Sequence, residues 1–153
     1  MSEKRPTYKA PKDLPIYRAA EILIEVMDDI HDDFRRDRRH THWQSLMNMA
    51  DKMPFYVCIA QDFPEHREEA LLLMLGTLSI MQGKLSMCTR RGYISEKSYL
   101  MCARPFASIE RQATGWLAST RRAGVGDGDT ESAYSYKGGS TLAATELDEL
   151  RTS

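Results

Sequence analysis

The chain has 153 residues, 42% hydrophobic and 28% charged, with 21 basic against 22 acidic side chains and a formal net charge of −1. That length suits one compact domain with a real core, or a smaller domain plus a tail, and excludes a large multidomain enzyme. No uninterrupted apolar run approaches the roughly 20 residues of a bilayer-spanning helix, and the charged start Met1-Ser-Glu-Lys-Arg-Pro has no apolar stretch behind it, so we expect no secretion signal, no membrane partner and a cytoplasmic protein.

Residues 1–13 are polar, with Pro6 and Pro11, and read as a loose lead-in. From Leu14 the pattern changes: Ile16, Ala19, Ala20, Leu23, Val26, Met27, Ile30 and Phe34 recur at three- and four-residue steps, one apolar helical stripe. Asp13 is the expected cap, Pro15 suits the first turn, and helix 1 is expected to run into Arg35–Arg39. Trp43, Leu46, Met47, Ala50, Met53, Val57 and Ala60 form the second stripe, with Thr41 as cap. Helix 2 should span about 42–61, kinked or split near Pro54 because the ring removes a hydrogen bond.

Asp62-Phe63-Pro64-Glu65 reads as the next helix start, with Glu65, Glu68 and Glu69 suiting the positive end of the macrodipole. Helix 3 continues through Leu71, Met74, Leu75, Leu78, Met81, Leu85 and Cys88 to Arg90 and Arg91, and Gly92 is the expected terminator. Ser95 caps helix 4, which carries Tyr99, Cys102, Ala103, Phe106, Ile109, Ala113, Trp116, Leu117 and Thr120, with Pro105 early in it. No alternating β-branched run suggests a strand. Short connections between long helices make an all-α, antiparallel up-down-up-down four-helix bundle over residues 14–122 the economical fold.

Residues 123–153 differ in kind. They hold five of the nine glycines, with two basic and six acidic side chains, a charge of −4 that leaves +3 on residues 1–122. Such a segment has too little apolar surface to offset the entropy of ordering, and we expect an acidic, disordered tail.

Helix 3 carries more apolar residues than one stripe needs. Leu73, Ile80 and Met87 follow at seven-residue steps beside Leu72, and Gly76, Ser79 and Gly83 offer a line of small residues for a close backbone approach. Burial within a monomer would explain this, but a second helix-3 face is the favoured reading: Leu72, Leu73, Gly76, Ile80, Gly83 and Met87 as an interface between copies of the chain.

Candidate chemistry is sparse. Asp28-Asp29-Ile30-His31 holds an acidic-x-x-His step, but the matching step for a di-metal site is missing and His66-x-x-Glu69 runs in the opposite order. A solvated acidic face is the better reading, and no metal or other cofactor is expected. His40-Thr41-His42 could bind metal or nucleic acid, but at a helix junction plain loop chemistry is the better reading. Cys58, Cys88 and Cys102 have no CxxC spacing and read as buried thiols in a reducing compartment. Gly124-Val-Gly-Asp-Gly lacks the strand and the Lys-Ser/Thr of a phosphate loop. No catalytic group stands out, and a non-enzyme is expected.

Arg35-Arg36-Asp37-Arg38-Arg39 is the sharpest local feature. A charge run commonly ends a solvated helix, but in an up-down bundle the ends of helices 1 and 3 share a pole. That would bring Arg35, Arg36, Arg38 and Arg39 beside Arg90 and Arg91, with Lys97 nearby. The opposite pole would gather Lys9, Lys12, Arg121 and Arg122. Repeated around an oligomer, such patches could hold a polyanion by its phosphates, led by charge and shape rather than base identity.

Leu14-Pro-Ile-Tyr-Arg-Ala-Ala, Gly92-Tyr-Ile-Ser and Arg111-Gln-Ala-Thr-Gly-Trp-Leu, with the closing Thr114-Gly-Trp-Leu-Ala-Ser-Thr-Arg-Arg, resemble segments of the four-helix-bundle family of ribosomal-RNA intervening-sequence proteins. Within it they are most similar to the accessory variability determinant (Avd) proteins of diversity-generating retroelements. The resemblance covers residues 14–122. It implies a ring-shaped homopentamer, without catalysis of its own, that associates with the element's reverse transcriptase and with template RNA, and DNA as cDNA, to support mutagenic reverse transcription. The alternative is a structural oligomer of the intervening-sequence type acting as a protein–protein scaffold.

Overall fold

The computed structural model describes residues 8–126, and among them every regular element is helical. Four long helices dominate: α1 (Pro15–Asp29), α2 (Gln44–Asp62), α3 (Arg67–Arg90) and α4 (Glu96–Gly126). They pack chiefly in the cyclic order α1–α2–α3–α4–α1, so each helix has two neighbours and all four face one core. Leu23, Met27, Leu46, Met53, Leu71, Met74, Met81, Leu85 and Ile109 lie fully buried there, at the three- and four-residue steps of their stripes.

Paired contacts fix the ends of the helices. Where α1 finishes and α4 begins, Asp33 Oδ2 accepts hydrogen bonds from Ser95 N–H (2.8 Å), Ser95 Oγ (2.8 Å) and Ser98 Oγ (2.6 Å). At the other end, the Arg67 guanidinium donates to the Ala60 carbonyl (2.6 Å) and Arg121 pairs with Glu68 (2.7 Å).

α1 ends earlier than its apolar period suggests. The helix stops at Asp29, and residues 31–43 form a compact crossover: single 3-10 turns at His31–Asp33 and Arg36–Arg38, then a π turn at Arg39–Trp43 that feeds α2. Phe34 plugs the crossover into the core and Trp43 Nε1 donates to the Met27 carbonyl (2.8 Å), satisfying one of the acceptors α1 leaves open. The caps expected at Asp13 and Thr41 are not made. Leu14 stands at the cap of α1 without a side-chain bond, and Thr41 Oγ1 donates to the Arg38 carbonyl instead.

α2 continues through Pro54 as one element, and α4 through Pro105. The α3–α4 connection is as the sequence suggests. Gly92 takes φ +74°, Gly92 N–H bonds the Thr89 carbonyl and Tyr93 N–H bonds the Cys88 carbonyl, the paired pattern of a Schellman terminator. Ser95 then caps α4 by accepting from Ser98 N–H.

The boundaries shift in two places. Residues 8–13 are tied down rather than loose: Pro11–Asp13 form a 3-10 turn, Tyr8 donates to Asp62, and Gln61 donates to the Lys9 carbonyl. α4 runs on to Gly126, past the expected limit at residue 122. The expectations for residues 1–7 and for the tail from residue 127 lie outside the described residues.

Within Pro64–Arg90 an 18-residue window has a mean hydropathy of 1.4, so this segment is long and apolar enough to cross a membrane by length and composition, although charged and polar residues interrupt its apolar runs. In the bundle, its Leu71, Met74, Leu78, Met81 and Leu85 face the core.

Candidate nucleic-acid interface

The crossover's arginines are held by the turn between α3 and α4. Arg35 N–H donates to the Tyr93 carbonyl (2.9 Å), which pins the two segments together through their backbones. The buried Tyr93 ring then organises what lies above it. The Arg35 and Arg38 guanidinium carbons stand 5.5 and 4.8 Å from its centroid, and the His42 ring stacks on it at 5.3 Å with 20° between the planes. Both guanidiniums fall within the range where a ring quadrupole attracts a cation. The aromatic surface that gathers these charges comes from Gly92-Tyr93, placed by a left-handed residue that only glycine adopts without strain.

The run Arg35–Arg39 divides into different roles. Asp37 sits between two arginines, 3.1 Å from the Arg35 guanidinium and 3.6 Å from Arg38 Nε. Arg36 is exposed. Arg39 turns back onto the chain: its Nε donates to the Phe34 carbonyl (3.1 Å) and its Nη2 to the Asp32 carbonyl (2.9 Å). Its guanidinium therefore splints the crossover, which makes it a structural cation more than a free phosphate ligand. Arg90 and Arg91 are exposed at the end of α3, and Arg91 is close enough to act electrostatically on His42. Lys97 stands near Asp33, whose carboxyl is held below the usual range, first by the Ser98 hydroxyl and then by the Ser95 amide.

Arg121 and Arg122 belong elsewhere. Both are exposed on the last turns of α4, and Arg121 is neutralised by Glu68 at the start of α3.

His42, set aside in the sequence as loop chemistry, stacks on the ring that holds Arg35 and Arg38, and Lys84, which the sequence pattern did not single out, acts on the imidazole electrostatically. Lys84 follows Thr77 and Met81 and precedes Cys88, all three buried, so it occupies the core-flanking side of α3. A lysine at such a step is the one signal that could have found it. Burial pushes the Lys84 ammonium pKa down. Burial, followed by the charges of Lys84, Arg38 and Arg91, holds the His42 imidazole below its ordinary pKa. Its Nδ1 is buried without a hydrogen-bond partner.

The surplus helix-3 residues separate in the same way. Leu73 is 5% exposed and belongs to the core, so it is withdrawn from the outward face. Leu72 and Ile80 remain exposed at 38% and 37%, Gly76 is half-buried, Met87 packs partly on the core, and Gly83 is exposed with open space where a Cβ would sit. Leu72, Gly76, Ile80, Gly83 and Met87 follow at steps of four, four, three and four, one stripe along α3.

The remaining candidates are quiet. Asp28, Asp29, Asp32 and Asp33 are exposed, and among the described residues no group of three or more His, Cys, Asp or Glu side chains is placed to hold a metal ion. Cys88 and Cys102 are buried and Cys58 is half-buried, all as free thiols; burial pushes Cys102 up to about 12. A surface hollow of about 450 Å³ is lined by Leu14, Ile16, Gln61, Arg111 and Trp116. Neither this hollow nor those along α2 and between α3 and α4 is lined by Arg35, Arg38, His42, Lys84 or Arg91, although His40 and Thr41 line the one along α2. In comparisons with known proteins, the chain matches no family model, no curated protein and no solved structure.

Proposed function

We propose that the chain is a noncatalytic accessory of a diversity-generating retroelement, which binds the reverse transcriptase and its template RNA or cDNA and supports mutagenic reverse transcription. In this reading the four helices form an antiparallel up-down-up-down bundle, and copies assemble into a ring, a pentamer by the resemblance, through the α3 stripe of Leu72, Gly76, Ile80, Gly83 and Met87. The polymerase partner rests on the resemblance of residues 14–20, 92–95 and 111–122. Nucleic-acid contact rests on one observation: Arg35 and Arg38 lie on Tyr93, where Arg91 acts electrostatically on the stacked His42, and Asp37 is the one carboxylate that pairs with Arg35 and Arg38 among the described residues. An excess of fixed positive charge at one end suits a phosphate backbone and carries no base readout of its own.

Anisotropy of a labelled single-stranded RNA across a salt series tests this. Binding should weaken steeply with salt, and Arg35→Glu/Arg36→Glu/Arg38→Glu should lower affinity at least about 100-fold at low salt while flattening the salt slope by about 2, the share of three phosphate contacts. Unchanged binding would end the reading. The exposed Leu72 and Ile80 also favour the scaffold alternative, in which the chain assembles and binds protein alone. Ile80→Asp separates the two parts: it should dissociate the oligomer in light scattering, and an oligomer that assembles but ignores RNA would leave the scaffold.

A further inference from the structure

His42 lies in an unusual position for an imidazole. One of its faces rests on Tyr93, its Nδ1 is buried without a partner, and every charged group acting on it is positive: Lys84 from α3, Arg91 from the α3–α4 turn, and Arg38 from the crossover. Arg35 adds a further guanidinium over the same Tyr93 ring. Asp37 is the counter-charge, and it is engaged with Arg35 and Arg38. Among the described residues no carboxylate pairs with Lys84 or Arg91. Arg38 Nε is likewise buried without a hydrogen bond, since Asp37 stands off at 3.6 Å. Three elements therefore bring positive charge to bear on His42, beside two buried nitrogens without a partner, and leave the place short of negative charge.

We propose that Arg38, Lys84, Arg91 and His42 form a proton-coupled phosphate site, in which one phosphodiester of a bound RNA seats among the three cations and His42 takes up a proton as it does. The inference rests on the nucleic-acid reading and adds where the strand is gripped and how pH governs the grip. In the free protein burial, and after it the three cations, oppose a fourth charge, so the imidazole stays neutral at pH values where an ordinary histidine begins to protonate. A phosphate reverses the sign of the local field, and imidazolium then supplies another donor to it. Linkage fixes the direction: if the anion favours the proton, the proton favours the anion by the same factor. Affinity is flat above the bound-state pKa, tightens as pH falls through it by up to about tenfold per unit, and levels off below the free-state pKa. After burial itself, Lys84 is the cation that acts most strongly on His42, and its own partial burial leaves its charge poorly screened.

The test is RNA affinity at fixed ionic strength from about pH 8 to about pH 5.5, the span in which histidines titrate, together with an NMR titration of the His42 imidazole with and without the same RNA. The wild-type protein should bind more tightly as pH falls, His42→Gln should lose most of that dependence, and RNA should raise the His42 pKa. Lys84→Met should raise the His42 pKa in the free protein, a shift that does not depend on RNA. An identical pH slope in a folded His42→Gln protein would assign the proton to His31, His40 or His66 and overturn the proposal. So would a His42 resonance that RNA leaves unmoved. Wild-type protein that binds RNA with no pH dependence removes this site alone, whereas protein that binds no RNA at any pH removes the nucleic-acid reading with it.

Discussion

Both ends of the bundle place an arginine over an aromatic ring. At the end where α1 finishes, Arg35 and Arg38 lie on Tyr93; at the end where α1 starts, Arg67 lies 5.4 Å from the Trp116 centroid. Their surroundings then diverge. Arg67 donates to a backbone carbonyl, and the nearby Arg121 is matched by Glu68, so these guanidiniums are used within the fold. Around Tyr93 a single carboxylate serves Arg35 and Arg38, while Lys84 and Arg91, which act electrostatically on His42, pair with none among the described residues. A count of cations along the chain is not enough to rank these ends, because what matters is whether a carboxylate reaches each cation. A bound polyanion gains little where the protein has already supplied the counter-charge, and most where it has not.

The connections at the two ends offer the largest contrast in stability. Phe34, in the α1–α2 crossover, is 1% exposed, whereas Phe63, between α2 and α3, is 53% exposed. Phe34→Ala should cost about 3–5 kcal/mol through the lost burial and the cavity it leaves. Phe63→Ala should cost less than about 1 kcal/mol, since its ring keeps much of its contact with water either way. Denaturant melts of the two variants measure the difference. Equal losses would mean that the crossover is not anchored through the core.

A middle-sized effect sharpens the same comparison at the polar level. Asp33→Ala removes the acceptor of three hydrogen bonds from Ser95 and Ser98 and so uncouples the crossover from the start of α4. A hydrogen bond to a charged group is worth more than a neutral one, but Asp33 is exposed and water competes, so the expected cost is about 2 kcal/mol. The pH dependence has a definite sign. The folded-state pKa is depressed, so this stabilisation is present above the unfolded carboxylate pKa and is lost as pH falls through the folded one. Melting at pH 7 should separate wild type from Asp33→Ala, and the gap should narrow in strong acid. A gap that stays constant with pH would show that packing, not the carboxylate, holds the two segments.

The parts of this architecture legible in the sequence are the ones set by neighbours in the chain. Gly92 and Ser95 announce the end of α3 and the start of α4 because a left-handed terminator and a hydroxyl cap act within a few residues. The core stripes are legible for the same reason. The end of α1 is not: Ile30 and Phe34 keep the helical step and are buried, yet the backbone leaves the helix after Asp29. What competes with helix there is Asp33 bonding across to Ser95, 62 residues away, and Arg39 bonding the Asp32 and Phe34 carbonyls. The cluster was half legible. Its arginines are conspicuous as a run, but the departure of Arg39 into the crossover and the arrival of His42 and Lys84 depend on tertiary packing. Leu73 shows the matching limit on α3, where one position of the heptad steps inward and leaves Leu72 and Ile80 outside.

The smallest expected effect is at Arg121. Its side chain is 52% exposed and its pair with Glu68 is open to water, so the Coulomb gain is offset by ordering two long side chains and is screened by salt. Arg121→Ala should change stability by less than about 0.5 kcal/mol, within reach of careful denaturant melts. Its effect on RNA affinity should also be small, because Glu68 already faces the guanidinium and a phosphate would have to displace it. Arg38→Ala removes a charge from the end where cations exceed carboxylates, and should weaken RNA binding more at every salt concentration. Were Arg121→Ala to weaken binding as much as Arg38→Ala, pairing with Glu68 would not shield the charge, and the path of the strand would have to include both ends of the bundle.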